Sequence, residues 1–138
     1  MPNEALVAAV KNIVGLAKAQ KMDEAYAAYA DLFSGALFPT LPPSEQRQAL
    51  KLMILAKGMP TFPTPPIVKA HRAAMGPLKA LVAAHDEPQD YELLGLCQVR
   101  TDDEKGARVT FQRGLDLERA RDPQSPLCGQ LMKWVASV

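Results

Sequence analysis

Residues 88–121 read PQDYELLGLCQVRTDDEKGARVTFQRGLDLERAR, and this stretch decides the fold. Asp86-Glu87-Pro88 opens a helix that runs to about Val99, and Asp102-Asp103-Glu104 opens a second that runs to about Ala120. Acids at both starts suit the positive end of a helix dipole. So few residues separate the two helices that they must lie antiparallel. Gly95 and Ala107 are small enough to let the backbones approach, and Tyr91, Leu94 and Phe111 are large enough to fill the wedge between them.

The spacing of these residues resembles the tetratricopeptide repeat. That family's pattern is W-x2-L-G-x2-Y, then A-x3-F, then P, over about 34 residues. Here the run is Tyr91-x2-Leu94-Gly95, then Ala107-x3-Phe111, with Tyr91 in the place of Trp and Gln98 in that of Tyr. Gly114 stands where a small Ala is usual, and Pro123 comes a few residues late. The resemblance implies an all-α protein of antiparallel helical hairpins stacked as a right-handed superhelix, with about seven helices.

A fainter copy lies at the start of the chain. Leu6, Val7, Val10, Ile13, Val14 and Ala17 fall at helical spacing in a helix from about Asn3 to Gln20. Asn3 is its expected N-cap. Asp23 is the expected N-cap of a second helix, from Glu24 to about Ala36, in which Ala25-x3-Tyr29 repeats the Ala107-x3-Phe111 spacing. Ile13 takes the position of Gly95. Between the two hairpins, prolines at 39, 42 and 43 cannot continue a helix. A third helix is expected from about Glu45 to Lys57, capped by Ser44 and ended by Gly58.

Residues 59–66 hold four prolines and read as an extended connector. Thr64 is the expected cap of a fourth helix, which carries Ala70-x3-Ala74 and a kink or break at Gly76-Pro77. A final helix from about Ser125 to Ala136 completes one domain over residues 1–138. Its hairpins span about 3–37, 44–85 and 87–121, and the capping helix about 125–136.

The remaining composition excludes more than it selects. The chain has 138 residues, 48% of them hydrophobic, enough for a core of its own. Lys and Arg number 16 against 15 Asp and Glu, which gives no field for nucleic acid. No apolar run is long enough to span a bilayer. The N-terminus lacks the basic segment and cleavage site of a secretory signal, so a cytoplasmic location is expected. Cys97 and Cys128 lie in apolar helical contexts with no Cys-x-x-Cys pairing, as buried thiols do. His71 and His85 are about four turns apart with no carboxylate at metal-ligand spacing beside His71. There is no nucleophile elbow and no phosphate-binding glycine loop. The acids at 102–104 serve a helix dipole, and Arg108, Arg113, Arg119 and Arg121 interleave with acids as on a solvated face. No enzyme site, metal or cofactor is expected; an enzyme would need polar residues converging around His71 or His85.

The function expected is therefore binding of a partner protein or peptide, as an adaptor, scaffold or chaperone-like module. The resemblance places the groove on the first helix of each pair, at Gln89, Glu92, Leu96, Val99 and Arg100. It gives Val7, Val10, Val14 and Lys18 in the first hairpin, and Lys51, Leu52 and Leu55 in the third helix. Glu92 and Leu96 replace the Lys and Asn with which related repeats clamp a terminal carboxylate, so an apolar or amphipathic segment fits better. The alternative is a regulatory or assembly subunit that homo-oligomerises through Leu127, Leu131, Trp134 and Val135 of the last helix.

Overall fold

A computed structural model describes residues 3–57, 59–60 and 62–138. The described residues form seven α-helices and no strand. They are α1 (Glu4–Lys18), α2 (Met22–Ser34), α3 (Pro43–Ile54), α4 (Pro65–His85), α5 (Pro88–Arg100), α6 (Glu104–Arg121) and α7 (Pro126–Ser137), with a 3-10 turn at Phe38–Thr40. The chain divides into two compact units, residues 1–77 and 78–138.

In the first unit α1 and α2 form an antiparallel hairpin. Asn3 caps α1, its side-chain oxygen accepting the Leu6 N–H at 3.1 Å. The hairpin turns through Gln20, at φ 63°. The Gln20 N–H reaches the Ala17 carbonyl and the Lys21 N–H the Leu16 carbonyl, which is the Schellman pattern. That turn moves the start of α2. Lys21, and not Asp23, is the N-cap residue, and it gives no side-chain cap. Asp23 falls inside the first turn, where its carboxylate accepts the Thr64 hydroxyl at 2.8 Å. Ile13, Ala25, Ala30 and Phe33 are each 2% exposed and form the hairpin's seam. Aromatic rings continue it: Tyr29 stacks on Phe33 at 5.7 Å, and Phe33 meets Phe38 edge-on at 5.1 Å. The proline-containing turn at Phe38–Thr40 thus closes the end of the hairpin with a fully buried ring.

The third helix begins earlier than Ser44 would set it. Pro42 is its N-cap and Pro43 its first residue, because the fixed φ of proline suits a first turn whose N–H groups are unpaired anyway. The Pro42 carbonyl accepts the N–H of Glu45 and of Gln46. The helix stops at Ile54, short of Lys57. Gly58 lies outside the described residues. Pro65 and Pro66 form the first turn of α4, as a helix that follows Thr64 with proline in its first turn requires. Thr64 does precede that helix, and its carbonyl accepts the Val68 N–H at 3.1 Å, but its hydroxyl is given to Asp23. No break occurs at Gly76-Pro77. Helix α4 runs through it, with Pro77 unable to donate to the carbonyl one turn back. The two units divide directly after Pro77.

In the second unit α5 and α6 repeat the first hairpin's turn residue for residue. Asp102 sits at φ 66°, its N–H bonds the Val99 carbonyl, and the Asp103 N–H bonds the Gln98 carbonyl at 2.8 Å. Here the next helix is capped: an Asp103 carboxylate oxygen accepts the Gly106 N–H at 3.0 Å. A Cβ built on Gly95 would clash with the Phe111 ring, and one on Gly114 would lie 2.9 Å from the Tyr91 Cβ. Both glycines are therefore required by the close approach of α5 and α6. Ala107 and Phe111 are fully buried. Ser125 caps α7 by accepting the Leu127 N–H at 3.2 Å. That helix packs on α6, with Leu131 fully buried and Trp134 stacked on Phe111 at 6.1 Å.

Candidate functional site

Helix α1 is apolar over more of its circumference than one contact needs. Leu6 and Ile13 are buried, and they are two turns apart on one face. Val7, Val10 and Val14 form a second stripe beside them, which the core does not absorb. Val7 is 37% exposed. The same surplus occurs on α3. Ala49, Leu50, Met53 and Ile54 are buried, while Leu52 and Leu55 are 49% and 46% exposed.

The two surplus faces meet. Between α1 and α3 lies a cleft of about 600 Å³, walled by Val7 and Val10 on one side and Ala49, Leu52 and Leu55 on the other. Lys11 and Lys51 stand at its rim with Glu45 and Gln48. A second hollow of about 300 Å³ adjoins it through Leu52 and is lined by Val14, Lys18, Tyr26 and Tyr29. Burial, with Tyr26 adding to it, pushes the Tyr29 phenol above its usual value. At the other end the Glu45 carboxylate accepts the Asn3 N–H at 3.1 Å, which brings the N-terminal ends of α1 and α3 together. Among the described residues, no ion pair involves Lys11, Lys18 or Lys51.

The groove positions taken from the repeat resemblance thus separate into two sets. In the first unit the structure brings together Val7, Val10, Lys51, Leu52 and Leu55, and places Val14 and Lys18 in the adjoining hollow. In the second unit α5 presents something different. Glu92 and Leu96 are each 5% exposed. The Glu92 carboxylate accepts the Trp134 indole N–H at 2.8 Å and the Gln89 amide at 2.5 Å. Gln89, Val99 and Arg100 are half-buried. The position equivalent to a groove contact is occupied by the protein's own last helix. On that helix Leu131 has no surface left to offer a second chain, while Leu127, Trp134 and Val135 are half-buried. Met132 of the same helix is 50% exposed.

Lys11 was not singled out by the sequence, although it lies one turn beyond Val7 and one before Val14 on the same stripe. Glu45 and Gln48 were missed because their relation to α1 is tertiary. His71 is fully buried, its Nδ1 2.7 Å from the Ile67 carbonyl oxygen and its ring stacked against Tyr26. His85 is exposed at the end of α4. Burial pushes the Cys97 thiol up to about 12, where it is a poor nucleophile. Among the described residues no group of three His, Cys, Asp or Glu is arranged to hold a metal ion. Nor, among the described residues, is any helix long and apolar enough to cross a membrane.

No protein-family model, curated protein or solved structure matches this chain.

Proposed function

We propose that the protein is a binding module of tetratricopeptide-like hairpins that docks a segment of another protein in the cleft between α1 and α3. It acts as an adaptor, scaffold or chaperone-like subunit without catalytic chemistry of its own. The observation that carries this reading is the meeting of Val7, Leu52 and Leu55 around one cleft. Three large apolar side chains from two helices are left partly exposed around one cleft. The identical Schellman turns at Gln20 and Asp102, and the shared spacing of Ile13, Ala25 and Tyr29 with Gly95, Ala107 and Phe111, support the repeat. Covering each half-exposed side chain contributes about 1 kcal/mol. That total is weak binding by itself, so the partner must supply matching apolar residues and polar contacts at the rim.

The test is an affinity capture with three forms of the protein: the unaltered chain, a Val7→Asp/Leu52→Asp variant, and a Val99→Asp/Arg100→Glu variant. Circular dichroism checks that each is folded. The reading expects a partner retained by the first and third and lost by the second. Loss with the third form alone moves the site to α5. A partner held equally by all three removes the cleft from its function.

A further inference from the structure

The cleft's charged rim narrows what can occupy it. Lys11 lies one turn from Val7 on α1, and Lys51 one turn from Leu55 on α3, so a cation stands on each wall beside an exposed apolar residue. Lys18 extends the row along α1 into the adjoining hollow. All three are exposed and, among the described residues, unpaired. Their aliphatic stems extend the apolar walls while the ammonium groups stay in water. The one carboxylate of the rim, Glu45, lies at the opposite end and holds the Asn3 N–H. The cleft therefore grades from an acid at the N-terminal ends of α1 and α3 to lysines towards their C-terminal ends.

Resting on the docking reading above, we infer that the occupant is an amphipathic helix whose apolar stripe is flanked by Asp and Glu. The acids concentrate in the N-terminal turns of that helix, and it lies antiparallel to α1 and α3. In this orientation its acidic turns meet Lys18 and Lys51, and both helix dipoles are complemented. A basic helix would set like charges beside three lysines, which is unfavourable at low salt and is screened as salt rises. A second copy docked through the same faces would bring one rim carboxylate, Glu45, against Lys11, Lys18 and Lys51, so it matches the lysines less well than an acid-flanked helix.

The probe is a fluorescein-labelled helical peptide of about 15 residues, the length of α1, with a Leu stripe and flanking Glu. Two controls accompany it: the same stripe with flanking Lys, and the acidic flanks with the stripe changed to Ser. Fluorescence anisotropy is read at low and at high salt. The acidic peptide is expected to bind at least about tenfold more tightly than the basic one, with the preference shrinking as salt screens it. The Ser-stripe peptide should not bind. Lys11→Glu/Lys51→Glu should reverse the preference, a gain for the basic peptide that misfolding cannot produce. Equal binding of both Leu peptides, lost in the Val7→Asp/Leu52→Asp variant, overturns the acidic occupant and leaves the docking cleft standing. Binding of neither overturns both. So does a concentration-dependent dimer that Leu52→Asp dissociates, or uptake by phosphatidylserine vesicles in place of the peptides.

Discussion

The hairpins α1/α2 and α5/α6 share a frame and differ in what happens outside it. Both turn through a non-glycine residue in the left-handed region, Gln20 and Asp102, with the same pair of capping hydrogen bonds. Both set a small residue and an aromatic at the same spacing on the second helix, Ala25 with Tyr29 and Ala107 with Phe111. In α5/α6 the facing residue is Gly95, which the Phe111 ring covers; in α1/α2 it is Ile13, which fills its own space. Beyond the seam, α5 has Glu92 and Leu96 buried and Glu92 bonded to Trp134, whereas α1 leaves Val7 partly exposed. One frame therefore yields a closed face and an open one. The difference lies in α7, whose Trp134 takes the face of α5.

The largest expected effect is on the shared seam. Phe111→Ala removes a fully buried ring that both Gly95 and Trp134 lean on, and should destabilise by about 3–5 kcal/mol in urea denaturation. Tyr29→Ala, at a position 9% exposed, should cost less. Gly95→Ala separates the hairpins more sharply. Its Cβ must displace the Phe111 ring, at about 1–3 kcal/mol by thermal denaturation. Ile13→Val, at the matching position, should cost only about 1 kcal/mol. A Gly95→Ala protein as stable as the parent would contradict the close approach of α5 and α6 at the Phe111 ring.

The third prediction concerns alkaline pH. Cys97 keeps its proton in the native state up to about 12, while the unfolded chain gives it up near 9. Native structure then binds the extra proton, so this contribution is complete below pH 9 and is lost as pH rises towards 12. Stability should fall by up to about 1.4 kcal/mol per pH unit in that window, and Cys97→Ala should flatten the slope. Tyr29 acts in the same direction in the first unit, starting from 10. The smallest effect is at the turns. Gln20→Gly relieves a left-handed side chain and should stabilise by about 1 kcal/mol. Asp102→Gly should gain less, since Asp tolerates that region better. Equal gains would show that the two turns are not under the same constraint.

The helices and the second hairpin were legible because their signals are local. Apolar spacing, the prolines and the Gly95–Phe111 pairing each act within a few turns. The starts of α2 and α3 were misplaced where a backbone turn or a first-turn proline outweighed a good capping side chain at Asp23 or Ser44. The uninterrupted α4 shows Gly76-Pro77 tolerated inside a helix whose flanking residues Ala74 and Leu78 are fully buried. The cleft was half legible. Val7, Val10, Lys51, Leu52 and Leu55 followed from the repeat frame, but nothing local in α5 distinguishes Glu92 as a residue claimed by Trp134, more than forty positions on.

The most direct test of the account is an amide NMR titration of the protein with the acidic, Leu-striped helical peptide. The account predicts saturable shifts along α1 and α3, centred on Val7, Lys11, Lys51, Leu52 and Leu55, with α5 unmoved. Shifts centred on Gln89, Val99 and Arg100, or none at all, would contradict it.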